Sequence, residues 1–283
     1  MALSNTYDTR LLRLRQETAA GAGAQILLVV LLGTAIGLGP AGWLTGLAFA
    51  LATWAILTHA LSRSWPRPPS FGPANRVTLA RAILVGGVTT LVADSFESPP
   101  SVAVLVALAT VALILDAVDG QVARRTGTAT LLGARFDMEV DAVLILVLSV
   151  YVAVPLGAWV LLIGLMRYVF VAAARVLPWL RGPLPPSTAR KAVAALQGIV
   201  LLVAGAGIIP RSAAFAAVLL ALALLVWSFG RDIRWLWRVR AHVAQAPPSG
   251  SSHRCTFPVP VDLVIELTPS QSRTGNGGPT SRV

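Results

Sequence analysis

The side chains able to do chemistry in this chain crowd into one stretch. Of twelve acids, five fall between 116 and 141, in LDAVDGQVARRTGTATLLGARFDMEVDAVL: Asp116, Asp119, Asp137, Glu139 and Asp141. The stretch joins two apolar runs. A charged side chain at the centre of a membrane helix costs ~2.5–3.5 kcal/mol, so acids held there are functional candidates by default. At about 100° per residue, Asp116, Asp119, Gly120 and Ala123 share one helical face, while Gly133, Asp137 and Asp141, every fourth residue of the next helix, share another. Glu139 points the opposite way and, four residues after Arg135, is expected to form a helix-surface pair with it. Asp116 lies eight residues before Arg124, and Asp141 eight after Gly133. Each therefore sits about 12 Å from its helix end at ~1.5 Å per residue. An antiparallel hairpin brings four carboxylates to one depth in a single cavity, where so many anions repel too strongly to stay ionised unaided. Two divalent cations would neutralise them, and oxygen ligands with no His or Cys nearby favour magnesium, manganese or calcium over zinc. Paired metals polarise phosphoryl groups and activate an attacking oxygen. Gly120 and Ala123 leave room for a bulky ligand, and Arg124 suits a diphosphate.

Membrane helices must position these residues. The chain has 283 residues, 55% of them apolar and 12% charged, which excludes a soluble globule. Uncharged runs fill 18–62, 98–115, 142–166, 192–210 and 212–230, and several reach the ~20 residues that cross ~30 Å of hydrocarbon. No ten-residue alternation is present, so backbone groups in lipid are satisfied inside helices and not in a barrel. The expected fold is an all-α polytopic membrane protein with eight spans, near 24–39, 43–61, 76–94, 101–122, 134–153, 157–176, 190–209 and 213–230. Residues 1–23 read as a cytoplasmic segment, 24–62 as two added transmembrane helices, 72–232 as a six-helix catalytic domain and 241–283 as a disordered tail. The single Cys255 excludes an intrachain disulfide. Arg10, Arg13 and Arg15 precede a run too long for a signal peptide, so the N-terminus is expected to be retained. The net charge of +11 does not point to nucleic acid, because the cations sit between apolar spans and form no basic soluble face. All basic residues but Lys191 are Arg, a bias typical of a GC-rich genome, and the expected location is a bacterial cell membrane.

At the acidic stretch the chain resembles the CDP-alcohol phosphotransferases, also called CDP-alcohol phosphatidyltransferases. Their signature, D-x-x-D-G-x-x-A-R, eight further residues, then G-x-x-x-D-x-x-x-D, is filled at every fixed position by Asp116, Asp119, Gly120, Ala123, Arg124, Gly133, Asp137 and Asp141. The resemblance covers the six spans from about 74 to 230. It implies that Asp116, Asp119 and Asp137 bind two divalent cations, Mg²⁺ or Mn²⁺. Asp141 would also touch the metal site and serve as general base on the acceptor hydroxyl. The implied reaction is attack of an alcohol on the lipid-side phosphorus of a CDP-activated lipid, most simply CDP-diacylglycerol, with CMP leaving. Upstream, Asn75, Thr78 and Arg81 resemble the family's Asn-x-x-Thr-x-x-Arg element, with Pro73 one place further back than usual, and look like nucleotide-side contacts. Gly120, Ala123, Arg124 and Gly133 belong to the same side. A homodimer is implied by the resemblance alone.

Acceptor choice is left open by the residues. Arg167, Arg175, Arg181, Arg190 and Lys191 exceed what orientation needs, and a phosphorylated acceptor would want such cations; Arg190 and Lys191 are the candidates. The subgroup making phosphatidylglycerophosphate often shows Lys-x-Lys-Thr-x-x-Gln here, whereas this chain keeps Lys191 and Gln197 with Val193 and Ala194 between. Inositol phosphate, serine and other alcohols therefore remain alternatives. Two other classes compete. An ion-coupled transporter would spread its acids toward the midplane and need no cytidine nucleotide. A noncatalytic scaffold docking through the tail would release no CMP. Trp65, Trp179, Trp227, Trp235 and Trp237 fall near span ends, where an interfacial belt is the default.

Of the 23 basic residues, only Arg211 falls in a loop on the far side of these spans. The positive-inside rule then places both termini and the loops at 62–75, 123–133 and 177–190 in the cytoplasm, with the acidic cavity facing it. Thr128→Cys should accordingly react with an impermeant thiol reagent only after the membrane is opened, in a background lacking Cys255. Labelling of Cys at 128 from intact cells would overturn the eight-span topology.

Overall fold

The computed structural model describes residues 2–63, 73–99, 101–126, 131–182 and 187–245. Among them are eight α-helices: α1 (Ala2–Ile36), α2 (Pro40–Arg63), α3 (Pro73–Asp94), α4 (Val102–Thr126), α5 (Leu131–Leu156), α6 (Leu161–Val176), α7 (Thr188–Gly205) and α8 (Arg211–Gln245), with short 3-10 turns at Ala158–Val160 and Pro178–Arg181. No strand occurs among the described residues. Each expected span lies largely within one helix, and six of the helices are long and apolar enough to cross a membrane. The chain divides into one compact unit, Met1–Arg240, and a second from Ala241, of which the described part is the end of α8. The expected disordered tail beyond 245, with its island 256–267, and Trp65 lie outside the described residues.

Helix ends depart from span ends for a physical reason. Hydropathy marks where a helix leaves lipid, not where it stops. The segment 1–23, expected to be cytoplasmic, is helical from Ala2 onward and continuous with the rest of α1, because its Leu, Arg, Gln, Glu and Ala residues favour helix and no proline interrupts them. The last helix likewise continues from 230 to Gln245 after the apolar run gives way to Arg231 and Asp232. Its prolongation carries Trp237 edge-on to Trp179, with Arg240 over both rings. Conversely α1 stops three residues short of the expected 39, where Gly37 at φ 81° adopts the left-handed conformation that a helix C-terminus exploits.

The helix α3 organises the bundle. It packs against α1, α2, α4 and α5, and 61% of its span is buried, against 33% or less in the other five. Lipid tails are as apolar as Leu, so close approach of helices depends on small residues and interhelical polar contacts. Both are present where the two N-terminal helices meet α3. Gly21 lies against Leu79, Gly46 against Thr90 and Val29, and Gly86 against the amide of buried Gln25. The added helices therefore pack on α3. At the far end, Gly39 N–H donates to Asp94 Oδ1 at 2.7 Å and Ala41 N–H to Glu97 Oε2 at 3.1 Å. These acids satisfy N–H groups at the start of α2 that have no acceptor within the helix. Across the bundle, α5 carries a stripe of Val140, Leu144, Leu148 and Val152 into the core, α6 lies on α5, and α7 contacts α5 and α4.

Replacing Asp94, which is 4% exposed, by Ala would leave the Gly39 donor without its partner. The expected loss is about 1–2 kcal/mol, read as a lower midpoint of thermal unfolding in detergent, with Asp94→Asn milder than Asp94→Ala.

Candidate metal centre

Three buried stripes end in charge. On α3, Val92, Val88 and Val85 lead back at helical spacing to Arg81; on α4, Leu105, Ala109 and Ala112 lead forward to Asp116; on α5, Val152, Leu148 and Leu144 lead back to Asp141, with Asp137 one turn earlier. Burying the apolar stripes forces their charged ends together. Asp116, Asp137 and Asp141 offer carboxylate oxygens all within 4.8 Å of one another, each residue half-buried. Beneath them lies the guanidinium of Arg81, whose Nη1 is 3.0 Å from Asp116 Oδ1 and donates to Asp137 Oδ1, while Nη2 donates to Asp141 Oδ1. The Arg81 side chain is 0% exposed and the three acids are 32–43% exposed, so the carboxylates separate the cation from solvent.

This donor set fits a hard divalent cation. It offers several carboxylate oxygens at mutual distances one ion can bridge, without the nitrogen or sulfur that would draw zinc. Asp119, Gly120, Ala123 and Arg124 fall on the last turns of α4 and Asn75 on the first turn of α3; their side chains lie outside the described residues. Gly133 is half-buried on the first turn of α5, and Thr78, one turn before Arg81, is buried.

Several other charged residues join one helix to another. Glu139 accepts from Arg167 Nη2 of α6 at 2.6 Å, on a helix that packs against α5; the side chain of Arg135, its expected partner, lies outside the described residues. Arg190 lies 3.4 Å from Asp232 on α8, and Arg231 donates to Ser187 Oγ at 3.0 Å. Lys191 is exposed. Gly198 packs on Ile145 and Gly205 on Tyr151; the same register, carried two turns toward the helix starts, puts Arg190 and Lys191 at the height of Asp137. Gln197 is buried, and its Nε2 donates to Ala221 O at 2.9 Å, joining α7 to α8 within the membrane. Sequence reasoning placed Arg81 on the nucleotide side and did not find it under the acids. The signal was the Val85–Val88–Val92 stripe, which Arg81 extends.

A bound cation stabilises the folded protein by about 2.7 kcal/mol at a hundredfold excess over its Kd. Added Mg²⁺ or Mn²⁺ should therefore raise the unfolding temperature of chelator-stripped protein, and Asp137→Asn should diminish that rise. An equal rise in both proteins would exclude these acids as the binding site.

A family model described as CDP-alcohol phosphatidyltransferase matches residues 72–227. No curated protein and no solved structure matches the chain. The matched segment is more than half of the 283 residues and runs from the start of α3 into α8, enclosing the acids and their buried cation. The chain thus belongs to the CDP-alcohol phosphatidyltransferases, multi-pass transferases of phospholipid synthesis that move a phosphatidyl group from a CDP-alcohol to an alcohol and depend in general on divalent metal.

Proposed function

We propose that this protein transfers the phosphatidyl group of CDP-diacylglycerol to a small alcohol acceptor and releases CMP, on the cytoplasmic side of a bacterial cell membrane and as a homodimer. The observation that carries the reading is the convergence of Asp116, Asp137 and Asp141, with oxygens within 4.8 Å, in a chain whose family signature is complete. Asp119, on the face that Asp116 occupies, joins them as the fourth ligand. Two Mg²⁺ or Mn²⁺ ions held there would screen the donor's diphosphate and make its phosphorus more electrophilic. Asn75, Thr78, Gly120, Ala123, Arg124 and Gly133 form the nucleotide side, the small residues admitting the ligand and Arg124 pairing with phosphate oxygens.

The acceptor enters beside Asp141, whose carboxylate takes the hydroxyl proton. The hydroxyl oxygen then bonds to the phosphorus next to the lipid, and the bond from that phosphorus to the bridging oxygen of the CMP phosphate breaks. CMP leaves with the bonding electron pair, and the proton stays on Asp141 until solvent removes it. Arg190 and Lys191, level with Asp137, are the groups suited to hold a phosphate carried by the acceptor, Lys191 more directly because Asp232 already engages Arg190.

Purified protein supplied with CDP-diacylglycerol and a panel of acceptors should release CMP only with divalent cation. Asp141→Asn should abolish turnover while retaining donor binding, and Asp116→Asn should weaken cation and donor binding together. Undiminished CMP release by both variants would refute the assignment. For a phosphorylated acceptor, Lys191→Ala should raise the acceptor KM roughly tenfold to a hundredfold, the worth of one charge-assisted hydrogen bond, and leave the donor KM alone. Unchanged acceptor kinetics would favour an uncharged or zwitterionic acceptor such as serine.

A further inference from the structure

Arg81, expected on the nucleotide side, lies among the acids instead. A side chain that recognises a diphosphate must present N–H groups to the cavity, yet Arg81 is 0% exposed and lies on the protein side of three carboxylates that are themselves 32–43% exposed. Both its terminal nitrogens face carboxylate oxygens, Nη1 toward Asp116 and Asp137 and Nη2 toward Asp141. Its Nε is buried with no hydrogen-bond partner among the described residues, so the acids are what retain the guanidinium there. A buried cation left without them would be strongly destabilising.

We infer that Arg81 is a positioning residue for the metal ligands, not a nucleotide contact; the inference rests on the reading of the acids as a divalent-cation site. The guanidinium engages Oδ1 of Asp116, Asp137 and Asp141, which orients each carboxylate and directs its other oxygen away from the arginine. It also offsets part of the repulsion among three anions drawn from α4 and α5, so the ligand set is assembled before a cation arrives. Partners that orient first ligands in this way are typically worth ~10–100-fold in metal affinity. The planar fork of Arg suits this three-way contact, and a Lys ammonium, a point charge, keeps the charge without the fork.

The test compares Mn²⁺ affinity by titration calorimetry with CDP affinity at saturating Mn²⁺, in full-length wild type, Arg81→Gln and Arg81→Lys, below their unfolding temperatures. Arg81→Gln should bind Mn²⁺ about 10–100-fold more weakly and CDP, once Mn²⁺ saturates, within about threefold of wild type. Arg81→Lys should recover part of the Mn²⁺ affinity. Unchanged Mn²⁺ affinity with weakened CDP binding would overturn the inference and make Arg81 a nucleotide contact. If Arg81→Gln does not fold, Arg81→Lys decides by the same comparison, since a lysine that merely preserves packing leaves Mn²⁺ affinity at the wild-type value. Failure of the wild type to bind Mn²⁺ or release CMP would refute the proposed function. Normal wild-type behaviour with Mn²⁺ affinity unmoved in the variants would refute the positioning role alone.

Discussion

A guanidinium buried within a membrane bundle is tolerable only with its counter-ions in contact, because isolating a charge from water costs several kcal/mol. Arg81 imposes that condition on this protein. Its three partners come from α4 and α5, so one side chain of α3 requires three helices to meet at a single height. The apolar residues cooperate with this requirement and do not compete with it. The stripes that make α3, α4 and α5 adhere are the ones whose next position is Arg81, Asp116 or Asp141. Packing and charge pairing therefore select the same helix rotation. The acids are also kept partly exposed, as the proposed reading requires of a site that takes a cation and a CDP-alcohol.

The N-terminal helices, which lie outside the matched family segment, act on the same element. They cover α3 on the side away from α4 and α5 through glycine-mediated contacts, and α2 is secured to the end of α3 by Asp94 and Glu97. Toward the other end, Glu17 of α1 pairs with Arg76 at 2.6 Å, a little over one turn before Arg81. An exposed pair of this kind contributes less than ~1 kcal/mol, so the attachment of α1 depends mainly on packing. The consequence is that α3 is the most buried of the six apolar spans, and the guanidinium it carries is shut off from solvent.

Charge at the ends of the remaining helices has two jobs that composition alone does not separate. The preponderance of cations in one set of loops orients a membrane protein, and some of these cations also join helices: Arg167 to Glu139, Arg190 to Asp232, Arg231 to Ser187. Arg211, the exception to the charge asymmetry, donates to the carbonyl of Pro155 at 2.5 Å, tying the start of α8 to the end of α5. Lys191, one residue after Arg190, stays exposed.

The sequence by itself determined the membrane class, the all-helical fold and the acidic signature, because each depends on local quantities: runs of uncharged residues long enough to cross lipid, and carboxylates repeating at helical intervals. It located Asp116, Asp137 and Asp141 on facing stripes for the same reason. Tertiary structure decided what depends on distance between segments far apart in the chain. Arg81 reads as one more residue of an upstream element until α3 is placed against α5, and the pairing of Glu139 with Arg167 is invisible until α6 is laid beside α5. Helix ends were legible only in part: hydropathy carried the first span to 39, past the end of α1 at Ile36, and stopped the last near 230, short of Gln245, since leaving the membrane does not oblige a helix to stop. Periodicity states which residues share a face; which faces meet is fixed by how the stripes of α3, α4 and α5 pack, and that packing set the buried cation beneath the acids.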